Sequence, residues 1–183
     1  VLMKDLDPAN WDQTSIAMTK KTVPNIVYVK QSSLISHLQQ IQPGTWSSSA
    51  ISPGSNPVVR TDTNDNLHLV FTRGTLQYAT QSQTNTWNIT PIPNTSHDPH
   101  QQLSMRIDLL NNSIHVVHIQ GGVLQYTTNV KGLWQTYPVD NKYSYENPDL
   151  AIDQQGNIHV SAMRRAGSQI QYITFPPSFF TGN

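Results

Sequence analysis

Three histidines recur at one position of an internal pattern: His68, His115 and His159, 47 and 44 residues apart. An imidazole can ligate a metal, move a proton near neutrality, or sit as a hydrogen-bonded ring in a half-buried layer. Three copies at equivalent places could converge on one ion. The favoured reading is structural, with each ring bonded to nearby backbone or to a turn carboxylate such as Asp62 or Asp153, because buried polar rings are routinely paired. A second cluster, His97-Asp98-Pro99-His100, has a spacing that permits two metal ligands. No third ligand or helix accompanies it, so no metal is expected there. Only 11 acidic residues are present, and many lie in turns, where Asp caps backbone N–H groups. There is no Gly-x-Ser-x-Gly, phosphate-binding loop, dinucleotide fingerprint or His-Glu-x-x-His.

The elements that position these residues are repeats. Asn66-Leu67-His68-Leu69-Val70, Ser113-Ile114-His115-Val116-Val117 and Asn157-Ile158-His159-Val160-Ser161 align with one another. Each is followed by Leu76-Gln77-Tyr78, Leu124-Gln125-Tyr126 or Ile170-Gln171-Tyr172, and the first two then reach Trp87 and Trp134. A degenerate copy leads, with Asn25 to Val29, Ile35-Ser36-His37 and Trp46. Each copy reads as four short strands, A to D, rich in alternating, β-branched and aromatic residues. The A-to-B turns carry loop chemistry, as in Asp153-Gln154-Gln155-Gly156-Asn157. No helix is expected, and Leu34 to Ile41 falls in strand C. A four-stranded unit of this length, repeated, predicts a β-propeller, in which each blade buries its faces against its neighbours.

The expected fold is therefore all-β, a four-bladed propeller of antiparallel blades forming one domain over 1–183. The repeats run approximately over 8–52, 53–93, 94–140 and 141–183, the last completed by 1–7. Val1 to Asp7 precedes the first strand A and matches a strand D, so it would pair with the last blade and close the ring. The alternative is a fragment of a larger propeller.

Composition narrows the function. Eleven Lys and Arg balance eleven Asp and Glu, which argues against nucleic acid and anionic membrane as partners, since both need a clustered positive field. Only 12% of residues are charged and none is cysteine, so the surface is polar but uncharged and free of disulfides. No apolar run is long enough to insert in a membrane.

On the quoted residues the repeat resembles propeller repeats of secreted bacterial proteins, with Asp, a Gly-Asn turn, His, then Leu-x-Tyr, then Gly-x-Trp, as in Gly132-Leu133-Trp134. Such repeats are similar to those of sialidase-like and polysaccharide-lyase propellers, lectins and surface or toxin modules. The resemblance implies a secreted or cell-surface protein. A sialidase would also imply Ser-x-Asp-x-Gly-x-x-Trp turns and an arginine triad; no turn here fits, and nothing marks three of Arg60, Arg73, Arg106, Arg164 and Arg165 as convergent.

Trp46, Trp87 and Trp134 share a repeat position and are expected to cover seams between blades. Features that break the repeat are better candidates for recognition, since the scaffold does not require them. The D-to-A and B-to-C connections emerge on one face of a propeller and bring Trp11, Arg73, His97, His100, Tyr143, Tyr145 and Arg164 toward it. Aromatics with amides and arginines suit a glycan or protein ligand. The expected function is a binding module. The alternatives are a glycoside hydrolase or polysaccharide lyase, and a structural spacer in a larger toxin or adhesin. No cofactor is expected beyond an ion that backbone carbonyls could hold in the central channel.

Overall fold

The structure, a computed structural model, describes residues 13–30, 33–81, 86–98, 101–167, 169–176 and 178–181. The chain forms four antiparallel sheets, one per repeat. The first contains β1 (Thr14–Met18), β2 (Pro24–Lys30), β3 (Leu34–Gln42) and β4 (Thr45–Pro53). The second contains β5 (Ser55–Thr61), β6 (Leu67–Arg73), β7 (Thr75–Gln81) and β8 (Trp87–Pro91). The third is β9 (Ser104–Ile107), β10 (Ile114–Gln120), β11 (Val123–Thr128) and β12 (Gln135–Asp140). The fourth, three-stranded among the described residues, is β13 (Tyr145–Ile152), β14 (Ile158–Arg164) and β15 (Gln169–Phe175). In every sheet the strands lie in sequence order, each hydrogen-bonded to the next, and among the described residues no sheet closes on itself. The segment 1–7, expected as the closing strand, lies outside the described residues. A four-residue helix, α1 (Ser178–Thr181), follows β15; the sequence reading had no helix.

The chain divides into two compact units, Val1–Arg73 with Gln77–Thr90, and Gly74–Leu76 with Pro91–Asn183. Each has its own core. In the first unit, Ala17, Val27, Val29 and Ile35 pack against Val59, Leu69, Phe71 and Ala79, with Trp87 laid against the cluster. In the second, Val117, Ile119, Leu124 and Tyr126 pack against Tyr145, Leu150, Ile158, Val160 and Phe175. These residues alternate along their strands, so one face of each sheet supplies the apolar layer.

The A-to-B turns show why the repeat carries its polar signature. Asp62 Oδ1 accepts the N–H groups of Asn64 and Asn66 at 2.8 and 2.9 Å, and Oδ2 accepts the Asn66 amide at 2.8 Å. Asp153 does the same for Gln155 and Asn157. Each of these turns, and the corresponding one after Asp108, whose Oδ1 accepts the Leu110 N–H at 2.9 Å, needs one left-handed residue, supplied by Asp65 at φ +64°, Gly156 at +82° and Asn112 at +58° respectively, types that tolerate that region. Asp62→Ala strips one turn of three acceptor contacts and is expected to cost about 1–2 kcal/mol. Urea unfolding of the variant checks this, and an unchanged midpoint would contradict it.

The recurrent histidines are held as the structural reading required, with a partner that it did not include. His68 Nδ1 meets the Tyr78 hydroxyl at 2.6 Å, His115 Nδ1 meets that of Tyr126 at 2.6 Å, and His159 Nδ1 meets that of Tyr172 at 2.7 Å. The other nitrogen faces Asp62 Oδ2 at 3.3 Å in the first case and Asp153 Oδ2 at 3.1 Å in the last. In the middle repeat it meets Ser113 Oγ at 2.7 Å instead. The tyrosine of each Leu-x-Tyr thus bonds across to the strand B histidine. No three His, Cys, Asp or Glu side chains gather as a metal set among the described residues.

Candidate functional site

The second unit carries a cleft of about 460 Å³ lined by Pro93, Asn94, Gln120, Gln125, Trp134, Gln135, Thr136 and Tyr137. Its parts come from four places. Pro93 and Asn94 form the turn after β8, Gln120 ends β10, Gln125 lies on β11, and Trp134 leads into β12. Asn94 sits at φ +57°, a value asparagine reaches at little cost. The indole of Trp134 and the ring of Tyr137 are half-buried, so each is held by packing yet retains exposed surface.

Two of the four amides in the cleft are oriented by their neighbours. The Ser96 N–H donates to Gln120 Oε1 at 3.0 Å, and the Tyr137 hydroxyl donates to Gln135 Oε1 at 2.7 Å. With both oxygens engaged, the NH₂ groups remain as donors. No charged side chain lines the cleft among the described residues.

The loop face of the same unit is knitted by hydrogen bonds. Asp98 Oδ1 and Oδ2 accept the N–H groups of Gly121 and Gly122 at 2.7 and 2.8 Å. Gly122 O then accepts the Tyr145 N–H at 2.9 Å, and Ser144 O accepts that of Arg165 at 3.0 Å. The Arg164 guanidinium lies 3.5 Å over the centre of the Tyr143 ring, a cation–π stack, and its Nη1 donates to Gln169 Oε1 at 3.3 Å. Arg165 pairs with Glu146 at 3.4 Å.

The expected recognition residues separate on this framework. Trp11 and His100 lie outside the described residues. Arg73 is exposed at the end of β6 in the first unit. His97, Tyr143, Tyr145 and Arg164 belong to the second, and there the Tyr143–Arg164 stack is exposed on one side. Tyr145 corrects the sequence reading. That reading places it in a connection between strands, yet it opens β13, pairs with Arg164 and is fully buried in the core. Its ring offers no face to a ligand, and only its hydroxyl reaches out, to Asp140 at 2.5 Å. His97 is half-buried, its Nε2–H donating to the Gln101 carbonyl at 2.7 Å, and its ring lies 6.2 Å from that of buried His118.

Trp134 is the residue that sequence reasoning assigned to scaffold alone. Trp87 fits that assignment, packing edge-on to His37 at 5.5 Å in the first unit. The distinguishing signal at Trp134 was available: three glutamines and an asparagine, Gln120, Gln125, Gln135 and Asn94, lie at turns and strand positions of the same repeat. Burial depresses several histidines. His37 and His115 fall to about 4 and His118 to about 3, so all three are neutral at physiological pH.

Successive antiparallel sheets with their strands in sequence order are the kind of unit from which β-propellers are built, and the solved structures that this chain resembles include lectin and sialidase propellers. The chain is similar to the lectin of Aleuria aurantia, described as a six-bladed β-propeller with a novel fucose recognition mode (TM-score 0.69, 12% identity, 92% of this chain and 59% of the lectin covered). It is also similar to the NanB sialidase of Streptococcus pneumoniae (TM-score 0.63, 15% identity, 94% of this chain and 33% of that one). A third is the intramolecular trans-sialidase of Ruminococcus gnavus (TM-score 0.59, 12% identity, 90% and 42% covered). The chain thus spans about a third to three-fifths of the length of these proteins. No family model matches the sequence, and neither does any curated protein.

Proposed function

We propose that the chain is a non-catalytic, carbohydrate-binding propeller module that takes a glycan in the Trp134 cleft. The observation behind this reading is the lining itself: two half-buried aromatic rings beside Asn94, Gln120, Gln125 and Gln135. A sugar ring has an apolar face that stacks on an aromatic plane and hydroxyls that accept and donate hydrogen bonds at its rim. The likeness to a fucose-recognising lectin supports the same reading. Binding is favoured over hydrolysis of the kind that uses a pair of carboxyl groups, since the described lining supplies none. The exposed Tyr143–Arg164 stack favours a second contact, with glycan or protein, on the loop face. In this proposal the four repeats are blades of one domain, residues 1–7 supply the fourth strand beside β15, and the module acts outside the cell or on its surface.

Glycan-array binding by the intact chain, with Trp134→Ala alongside, tests the proposal. Selective binding that weakens at least about tenfold in the variant is expected, the usual scale for an aromatic contact residue. Binding that is unchanged in Trp134→Ala but lost in Tyr143→Ala would move the site to the loop face.

A further inference from the structure

Resting on the reading of the cleft as a glycan site, we infer that it selects uncharged sugars and discriminates against acidic ones. Three features carry this. The first is the absence of any Lys, Arg or His among the described residues of the lining, in a chain whose charged fraction is only 12%. A carboxylate entering a half-buried cleft loses hydration, and without a cation in the lining its charge is left unpaired.

The second is the fixed polarity of the amides. Gln120 and Gln135 have their oxygens engaged by Ser96 N–H and the Tyr137 hydroxyl, which leaves neutral NH₂ donors for a ligand. Such donors suit hydroxyl oxygens, a ring oxygen or an acetamido carbonyl, each of which is an uncharged acceptor. The third is that the unit's arginines are committed elsewhere. Arg164 stacks on Tyr143 and bonds Gln169, Arg165 pairs with Glu146, and Arg106 pairs with Asp149 at 3.5 Å. None of them lines the cleft. The ligand class is therefore a neutral pyranoside that lays one apolar face on the Trp134 indole and meets amide donors at its edge.

The test compares matched probes on the intact chain by calorimetry and array: lactose and N-acetyllactosamine against their sialylated forms, and oligogalactosides against oligogalacturonides. Neutral members are expected to bind at least about tenfold more tightly than their acidic partners, the scale of one uncompensated polar burial. Gln125→Arg, which places a cation in the cleft, is expected to narrow or reverse that ratio while leaving the far-ultraviolet spectrum unchanged. Acidic probes bound as tightly as neutral ones, and lost in Trp134→Ala, would overturn the selectivity while leaving the glycan reading standing. No binding of any probe by a folded chain would overturn both.

Discussion

Acidification from pH 7 to 4 is expected to destabilise the second unit more than the first. His115 and His118 belong to the second unit, His37 to the first, and all three have pKa values lowered by burial. The unfolded chain protonates its histidines near pH 6.5, whereas the folded chain holds these neutral down to about pH 4 for His37 and His115 and about pH 3 for His118. Between those limits the unfolded state binds more protons, so stability falls as the pH falls. Above pH 6.5 the histidines are neutral in both states and contribute no pH dependence.

At about 1.4 kcal/mol per pH unit, His115 alone corresponds to roughly 3 kcal/mol, a large part of a small domain's margin of about 5–15 kcal/mol. The turn carboxylates do not offset this. Asp153 is lowered to about 2 by the Asn157 amide above all. Burial alone would raise Asp62, but hydrogen bonds from Asn66, Asn64 and His68 hold it below its usual value. A depressed carboxylate loses its stabilising effect as the pH falls from the unfolded value of 3.8 toward its folded one, so that loss begins only at the acid end of this range. Urea unfolding at pH 7, 6, 5 and 4 checks the expectation, followed by the fluorescence of variants retaining only Trp87 or only Trp134. Equal midpoints across that range, or earlier loss of the Trp87 signal, would contradict it.

The second large effect is expected at Gly54. This single residue connects β4 to β5. A Cβ built on it would lie 2.8 Å from the Thr72 carbonyl oxygen, 2.8 Å from Phe71 Cδ2 and 2.9 Å from Ile35 Cδ1. The carbonyl belongs to β6 and cannot yield without disturbing the sheet, and the two side chains belong to the unit's core. Gly54→Ala is expected to cost about 2–3 kcal/mol, as overpacking of a close approach does. Gly44→Ala is the comparison. That glycine has φ +79° with nothing within 4 Å of a built Cβ, so only backbone strain of about 1–2 kcal/mol applies. Gly54 also has a positive φ, +157°, so the difference between the two denaturant midpoints measures what the close approach adds to backbone strain. A loss at Gly54 no larger than at Gly44 would show that the core accommodates the methyl group.

Much of the scaffold was legible because its signals are local. The Asp-to-Asn turns, the alternation around His68, His115 and His159, and the Leu-x-Tyr segments each fall on the strand or turn expected of them. The cross-strand histidine–tyrosine bonds were not foreseen, since they join residues 10 to 13 apart that only hairpin geometry brings together. Tyr145 misled for a related reason. Asn141 to Asn147 has the composition of a loop, but hydrogen bonding to Gly122 and pairing with Arg164 draw its last part into β13. Trp134 was read as scaffold because it recurs with Trp46 and Trp87. All three are half-buried, and what sets Trp134 apart is the amide-lined cleft beside it, which only the folded strands assemble.

The histidine–tyrosine bond also has a consequence for how the chain folds. In the third sheet His115 lies opposite Thr128 and Val117 opposite Tyr126, so both rings sit on one face of the hairpin. A one-residue slip between strands B and C would send the tyrosine to the other face and strand a buried histidine nitrogen. The bond therefore acts as a register key: a slipped hairpin loses it and leaves a buried polar nitrogen unpaired. The key is the same in three repeats, so it cannot distinguish the tyrosine of its own hairpin from that of another.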